Sequence, residues 1–275
     1  MKLSVVITTR NEAENIGDCI RAFDGFRDEV EVIVVDNSSS DGTGAIAERL
    51  GAKVFDKGPE RCAQRNFGCS MASSEWIFIL DADMVVPSGL VREVLSATGS
   101  GRADAFWIPE VRTGRGIRTR ARNFERSFYD GTVVDALRVM KKSVVDAAGG
   151  YDENLVAGGE DWDLDIRILA LGARCEVLKT ALLHNEKSLT LSKLLAKKAY
   201  YSKTIGDYRA KWPGHPAVRR QFSPWYRFAG VFVENGKWKR LVRHPVLAAV
   251  MYFERLAVAL TYLFARRKAE KGSCR

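Results

Sequence analysis

Hydrophobic and polar positions alternate in blocks along the first 110 residues. Leu3–Thr8 reads LSVVIT, Glu31–Val35 reads EVIVV, Trp76–Leu80 reads WIFIL and Ala105–Ile108 reads AFWI; Lys53–Phe55 is shorter. Unbroken apolar runs of this length, rich in β-branched residues, predict strands covered on both faces. Between them lie helix signals. Asn11 precedes Glu14 at capping-box spacing, and Ile16, Cys19, Ile20 and Phe23 follow at helical intervals. Asp41-Gly42-Thr43 opens a segment running to Leu50 and stopping at Gly51, and Asp41 suits the cap of that helix. Arg61–Met71 and Ser88–Leu95 also read as helical. Alternation of this kind predicts an α/β protein with a mostly parallel, Rossmann-like sheet and helices on both faces. Ligands of such sheets bind beyond the carboxyl ends of the strands, which singles out Thr8–Glu12, Asp36–Asp41 and Asp81–Asp83.

Further along, a strand is predicted at Leu137–Met140 and a helix from about Asp161 to Leu171, ended by Gly172. Six arginines (Arg112, Arg115, Arg118, Arg120, Arg122 and Arg126) interrupt the pattern. A mobile loop contacting phosphates or a solvated basic face are the two readings. Nucleic acid is set aside, because no aromatic platform is interleaved with these cations.

Composition is ordinary for a globular chain of 275 residues, with 46% hydrophobic and 28% charged residues. Charge changes the picture. The net +9 hides a division: residues 186–275 hold 20 Lys+Arg against 5 Asp+Glu, a net of +15, whereas the rest hold 23 against 29, a net of −6. We therefore divide the chain into residues 1–185 and a basic, aromatic-rich helical extension, residues 186–275. The five cysteines are odd in number and lack metal-ligand spacing, so they read as small buried hydrophobes in a reducing compartment. The short apolar run Leu3–Ile7 has no small-residue cleavage site after it and does not read as a signal peptide.

Three polar clusters carry the candidate chemistry. Asp81-Ala82-Asp83 follows WIFIL directly, and two carboxylates at a strand end can hold Mg²⁺ or Mn²⁺ together with diphosphate oxygens. Asp36 can accept hydrogen bonds from a base or ribose. Glu160, Asp161, Asp163 and Asp165 crowd one helix start. Capping explains one of these acids, and another is a candidate general base.

The stretches VVITTRNEAENI, VIVVDNSSSDGT, CAQRNFGCSMASSEWIFILDADMVV and AAGGYDENLVAGGEDWDLDIRILALG occur in this order. The set resembles the family 2 nucleotide-sugar glycosyltransferases, whose fold is GT-A. The resemblance covers roughly residues 3–185. It implies that Thr8, Arg10, Asn11, Glu12, Asp36, Arg65, Asn66 and Asp81 serve the nucleotide and its phosphates. It also implies that Asp83, with Asp81, holds the metal, and that Asp161 is the catalytic base with Glu160 beside it. Trp162 would sit near the acceptor, and His184, following a predicted strand, would complete the metal site as in some relatives. Asn37 stands where a second acid is more usual, and the processive "QxxRW" motif is absent, which favours transfer of a single sugar. The implied activity is metal-dependent, inverting transfer from a nucleoside-diphosphate sugar to an acceptor hydroxyl or phosphate. The alternatives are a sugar-nucleotide pyrophosphorylase, whose Gly-rich basic loop TTRNEAEN does not supply, and a non-catalytic nucleotide-sugar-binding protein.

Residues 246–265 read VLAAVMYFERLAVALTYLFA, with Glu254 and Arg255 the only charges. Aromatic and basic residues flank this run: Trp225, Trp238, Arg240 and Arg243 before it, Arg266, Arg267 and Lys268 after it. We expect peripheral or monotopic attachment to an anionic membrane surface, cytoplasmic at its inner face, with a lipid-linked or glycolipid acceptor. Packing of this helix on the protein and a true span are the alternatives.

Overall fold

Four parallel strands build the half of the molecule that was most legible. They are β1 (Leu3–Thr9), β2 (Val30–Asp36), β3 (Lys53–Asp56) and β4 (Trp76–Asp81). β1 and β2 are buried along their whole length, as their unbroken apolar runs require. The computed structural model describes residues 2–156, 158–185 and 204–257. Seven strands form the main sheet in the order β3-β2-β1-β4-β8-β6-β9, where β6 is Ala105–Trp107, β8 is Leu137–Lys141 and β9 is Cys175–Val177. β8 runs antiparallel to both β4 and β6. A second sheet joins β5 (Met84–Val85), β10 (Leu182–His184) and β7 (Glu110–Arg112). The α/β expectation of a mostly parallel GT-A-like sheet holds.

Helices cover both faces. α1 (Ile16–Arg21), α2 (Thr43–Arg49) and α4 (Ser88–Gly99) pack with the core that contains Val5, Ile7, Val34 and Phe78. α3 (Arg61–Met71), α6 (Lys142–Ala147) and α7 (Glu160–Ala170) pack with the core that contains Val6, Ile33, Val35 and Ile79. The alternation of neighbouring strand residues between two cores is the period-two pleat. α3 lies close to the sheet: a Cβ on Gly68 would stand 2.3 Å from a methyl of Val6. Cys19, Cys62 and Cys69 are free and buried, and Cys175 is free and half-buried.

Two local expectations are corrected. Asn11 and Glu14 form no capping box, because α1 begins only at Ile16 and has no side-chain cap. Asn11 has φ +54°, donates its amide to Ser39 Oγ and accepts from the Ser40 amide, so tertiary bonds between the first two polar clusters take the place of a cap. Asp41 does hold the start of α2 by accepting from the Thr43 amide, and it also accepts from the Ala13 amide. The arginine stretch is not a loop throughout. Ile117–Arg126 forms α5, with Ala121 and Phe124 buried and Arg118 and Arg122 paired with Glu254.

The described part of the extension, residues 204–257, folds onto this body. α8 (Ile205–Lys211) and α9 (Pro216–Phe222) place Tyr208 and Val218 against Leu155 and Ile166. α10 (Trp238–Arg243) precedes a helical run from 245 to 257. That run buries Met251 and rests Leu247, Ala248 and Tyr252 against Phe128 and Phe232. Arg255 donates to Glu125 and to Tyr129 Oη. Among the described residues, packing on the protein therefore accounts for one face of the 246–265 run. Its remainder, with the basic residues 266–268, lies outside the described residues, as do residues 186–203. No helix among the described residues is long and apolar enough to cross a membrane.

Glu31 ties the sheet together at the amino end of β2. It is buried and accepts from Ser4, from the Ser73 amide and hydroxyl, and from Lys53. Burial would raise its carboxyl, but these donors hold it down at about 2. The folded value is depressed, so its contribution is present above the ordinary 4.5 and is lost as pH falls toward about 2. Glu31→Gln should lose up to about 3 kcal/mol at neutral pH. Urea unfolding should show the difference closing between about 4.5 and about 2.

Candidate active site

The site lies where the sheet order reverses. β1 has β2 on one side and β4 on the other, so the chain leaves β1 in opposite directions and opens a crevice there. The register puts Thr8 opposite Asp81 and Thr9 opposite Asp36, so three strands end at one level. Above them is a cavity of about 810 Å³. Thr8, Arg10, Glu12, Asp81, Asp83, Glu160, Asp161, Trp162 and His184 all line it, which brings together residues from 8 to 184 in the sequence.

Four sequence-selected residues stand behind this lining. Asn11 stitches the first loop to the second, as above. Asp36 is buried and accepts from the Ser39 amide, so it orders the second loop. Asn66 exchanges hydrogen bonds with the Tyr151 backbone and donates to Glu153. Arg65 is wholly buried and forked between two acids. Its Nη1 donates to Asp161 Oδ1 at 2.7 Å and its Nη2 to Asp81 Oδ1 at 3.2 Å, while its guanidinium lies 5.1 Å from the centre of the Tyr151 ring. The residue expected to face phosphates thus joins the two acids of the site.

Each acid of the helix α7 cluster has its own partner. Glu160 is buried and pairs with Arg61 Nη2 at 3.2 Å. Burial, then the neighbouring Asp161, raises its carboxyl above the usual range. Asp163 is buried against Arg167, Lys211 and Trp212. Asp165 accepts from Trp107 Nε1 and the Leu137 amide, and burial pushes its carboxyl up. Asp161 lines the cavity with its side chain a quarter exposed, and Arg65 engages its Oδ1. Gly158 and Gly159, with φ of +84° and +93°, turn the chain sharply into this helix start.

Asp83 and His184 face each other across the second sheet's edge, with Nε2 and Oδ2 2.9 Å apart. β10 sets this pairing by matching His184 to Met84 of β5. One carboxylate and one imidazole at an open cavity wall fit a divalent cation that takes its remaining ligands from diphosphate and water. Asp81 is drawn the other way, since Arg65 and Thr8 both donate to its Oδ1. Burial would raise the Asp81 carboxyl, but Arg65, then Arg61 and Arg138, hold it well below the usual range. Among the described residues, no group of three or more His, Cys, Asp or Glu is gathered tightly enough to hold a metal by protein ligands alone.

Of the other lining residues, Asn37 and Arg126 were named from sequence, whereas Gln64, Glu110, Asp135 and Arg138 were not. Asn37 and Gln64 line the cavity beside the ends of β1 and β2, where Gln64 donates to the carbonyls of Thr9 and Val35. At the opposite end, Arg138 donates twice to Glu110, and Arg126 donates to Asp135 at 2.7 Å. Burial would raise Glu110, but Arg138 and Arg126 hold it at about 2. Arg126 was visible in the sequence only as one of six clustered arginines; the helix that aims it at Asp135 was not read there. Glu110 and Arg138 sit on short strands whose pairing carries no local signature.

A Rossmann-like sheet with a switch-point cavity, walled by acids at the end of β4 and the start of α7, is the architecture of the GT-A fold. The profile of Glycosyl transferase family 2 matches residues 4–148. The chain belongs to that family. An uncharacterized glycosyltransferase of Rickettsia felis is 37% identical over 113 residues, which are 40% of this chain and 39% of the relative. The succinoglycan biosynthesis protein ExoU of Rhizobium meliloti is 27% identical over 202 residues, 63% of this chain and 58% of that one. The chain thus spans about two fifths of the Rickettsia felis relative that it matches. The mannosyltransferase PcManGT from Pyrobaculum calidifontis, solved with GDP-Man and Mn²⁺, has a TM-score of 0.61 at 18% identity, covering 96% of this chain and 79% of that one. Residues 1–349 of S. aureus TarS give a TM-score of 0.56 at 17% identity, covering 94% and 92%. At these identities the likeness shows the fold.

Proposed function

We propose that the chain transfers one sugar, with inversion, from a nucleoside-diphosphate sugar to a hydroxyl or phosphate of a lipid-linked acceptor at a membrane surface. The observation that carries this reading is Asp161, held by Arg65 in the same cavity as the Asp83–His184 pair. Thr8, Arg10 and Glu12 line the nucleotide end, and Trp162 the acceptor side. Asp161 takes the acceptor proton as the acceptor oxygen bonds to the anomeric carbon. The bond from that carbon to the diphosphate oxygen breaks on the opposite face. Asp83 and His184 would hold Mg²⁺ or Mn²⁺, which would neutralise charge on the departing diphosphate. The Mn²⁺ complexes of PcManGT and of glucosyl-3-phosphoglycerate synthase from Mycobacterium tuberculosis support the cofactor class.

Incubation with Mn²⁺ and a panel of nucleotide sugars tests the reading. Release of nucleoside diphosphate supports transfer chemistry; pyrophosphate would indicate a pyrophosphorylase, and no turnover a binding protein. A nucleoside diphosphate at about a hundred times its Kd should add about 2.7 kcal/mol of stability. The Mn²⁺-dependent part of that shift should vanish in Asp83→Ala.

Membrane contact rests on the outer face of the extension. Val246, Ala249, Phe253 and Leu256 are exposed at helical spacing, on the side away from the buried Met251. Exposed Lys239, Arg240 and Arg243 stand beside exposed Trp238 on α10. Apolar side chains flanked by cations fit an anionic headgroup layer. The protein should co-sediment with phosphatidylglycerol vesicles at low salt and be released at high salt. Phe253→Glu should abolish the association; recovery of the wild type in the supernatant at low salt would refute it.

A further inference from the structure

The basic extension, separated from the catalytic part by its composition, reaches the helix that carries the base. Asp163 is completely buried one turn into α7, two residues after Asp161. Its Oδ2 accepts from Arg167 of the same helix at 2.6 and 3.0 Å. Its Oδ1 accepts from Trp212 Nε1 at 2.8 Å and pairs with Lys211 Nζ at 2.9 Å. Lys211 also grips Asp152 at 2.6 Å, in the loop before α7. Two donors from the end of α8 therefore fix one carboxylate of the base helix.

A second contact acts on the turn itself. Tyr208 is buried against Gly159, where an added Cβ would lie 2.8 Å from the ring. Its hydroxyl donates to Gln221 at 2.7 Å, and Gln221 donates onward to the Val133 carbonyl at 2.6 Å. The Thr204 hydroxyl donates to the Gly158 carbonyl. The two glycines whose positive φ aims Glu160 and Asp161 into the cavity are thus held from outside by the extension. Glycine gives such a turn many alternatives, so something must select one.

We infer that Trp212 and Lys211 are positioning residues for the transfer reaction: through Asp163 they set where α7 places Asp161. This rests on Asp161 as the base. A donor pair fixed at 2.8 and 2.9 Å on a fully buried carboxylate constrains both the position and the rotation of the helix end. A base displaced by a fraction of an ångström loses rate steeply, while nucleotide contacts on β1 and the second loop are untouched.

Trp212→Phe keeps the ring and removes the donor; Lys211→Met keeps the stem and removes the charge. Each should lower kcat about tenfold. The donor KM and the affinity for nucleoside diphosphate with Mn²⁺ should stay at the wild-type value. Two results would overturn the inference: a kcat within about twofold of wild type in both variants, or a fall in kcat matched by an equal fall in nucleotide affinity, which marks general loosening. Asp161→Asn, assayed in parallel, separates the two levels. Full turnover in that variant would remove the base reading itself, whereas an inactive Asp161→Asn beside unaffected Trp212 and Lys211 variants would remove the positioning role alone.

Discussion

Asp161→Asn should lower sugar transfer by about three orders of magnitude, within the range by which a positioned general base accelerates proton removal. The substitution is conservative where the fold is concerned. Arg65 donates to Asp161 Oδ1, and an asparagine carboxamide oxygen can accept the same bond. What it cannot do is take a proton. Nucleoside diphosphate affinity should hardly change, because the residues proposed to hold the nucleotide, Thr8, Arg10 and Glu12, line the cavity from β1 and the loop after it. Turnover is read as nucleoside diphosphate release at saturating donor and acceptor, and binding by the thermal shift with Mn²⁺. Wild-type turnover in the variant would sink the assignment. Glu160→Gln gives a useful contrast. Glu160 is buried and paired with Arg61, and its carboxyl is raised by burial and by Asp161. Its loss should act through the helix start and cost less rate than loss of Asp161.

The sequence was most informative where local pattern and tertiary need agree. β1, β2 and β4 fall within a residue of the predicted runs, and α3 spans Arg61–Met71 as read. These strands are buried on both faces, so hydrophobicity alone marks them. The polar clusters after them were legible for the same reason: acids directly beyond an apolar strand have few structural uses. β5 and β7 were not legible. They are two and three residues long and exist through partners distant in sequence, as when His184 pairs with Met84. The Asn11–Glu14 spacing misled because a capping motif is a local statement, and Asn11 is claimed by Ser39 and Ser40 nearly thirty residues away. The composition boundary at 185 was equally local. It marks a real change in charge, yet Trp212 and Lys211 lie across it and touch Asp163 on α7.

Arg65 joins these strands of argument, and its removal should have the largest effect on stability. Its side chain is 1% exposed and answers two carboxylates, Asp161 and Asp81. Deleting one partner of a buried ion network leaves uncompensated charge and costs about 3–5 kcal/mol. Arg65→Met fills the same space without the charge. The pH dependence has a definite sign. With Arg65 present, Asp81 is held well below the usual carboxylate range, so its contribution is present at neutral pH and is lost only on strong acidification. Without Arg65, burial is opposed by the weaker influence of Arg61, Arg138 and His184, and the Asp81 carboxyl rises. The variant is then penalised most at neutral pH, and the gap to wild type narrows as acid protonates the orphaned Asp81. Urea unfolding across the acid range checks this. A double-variant cycle sharpens it: Asp161→Asn removes one of the two orphaned charges, so Arg65→Met combined with Asp161→Asn should be less destabilised than the sum of the two single changes. Strict additivity would mean that Arg65 supports the fold through packing on Tyr151 and not by balancing the acids of the site.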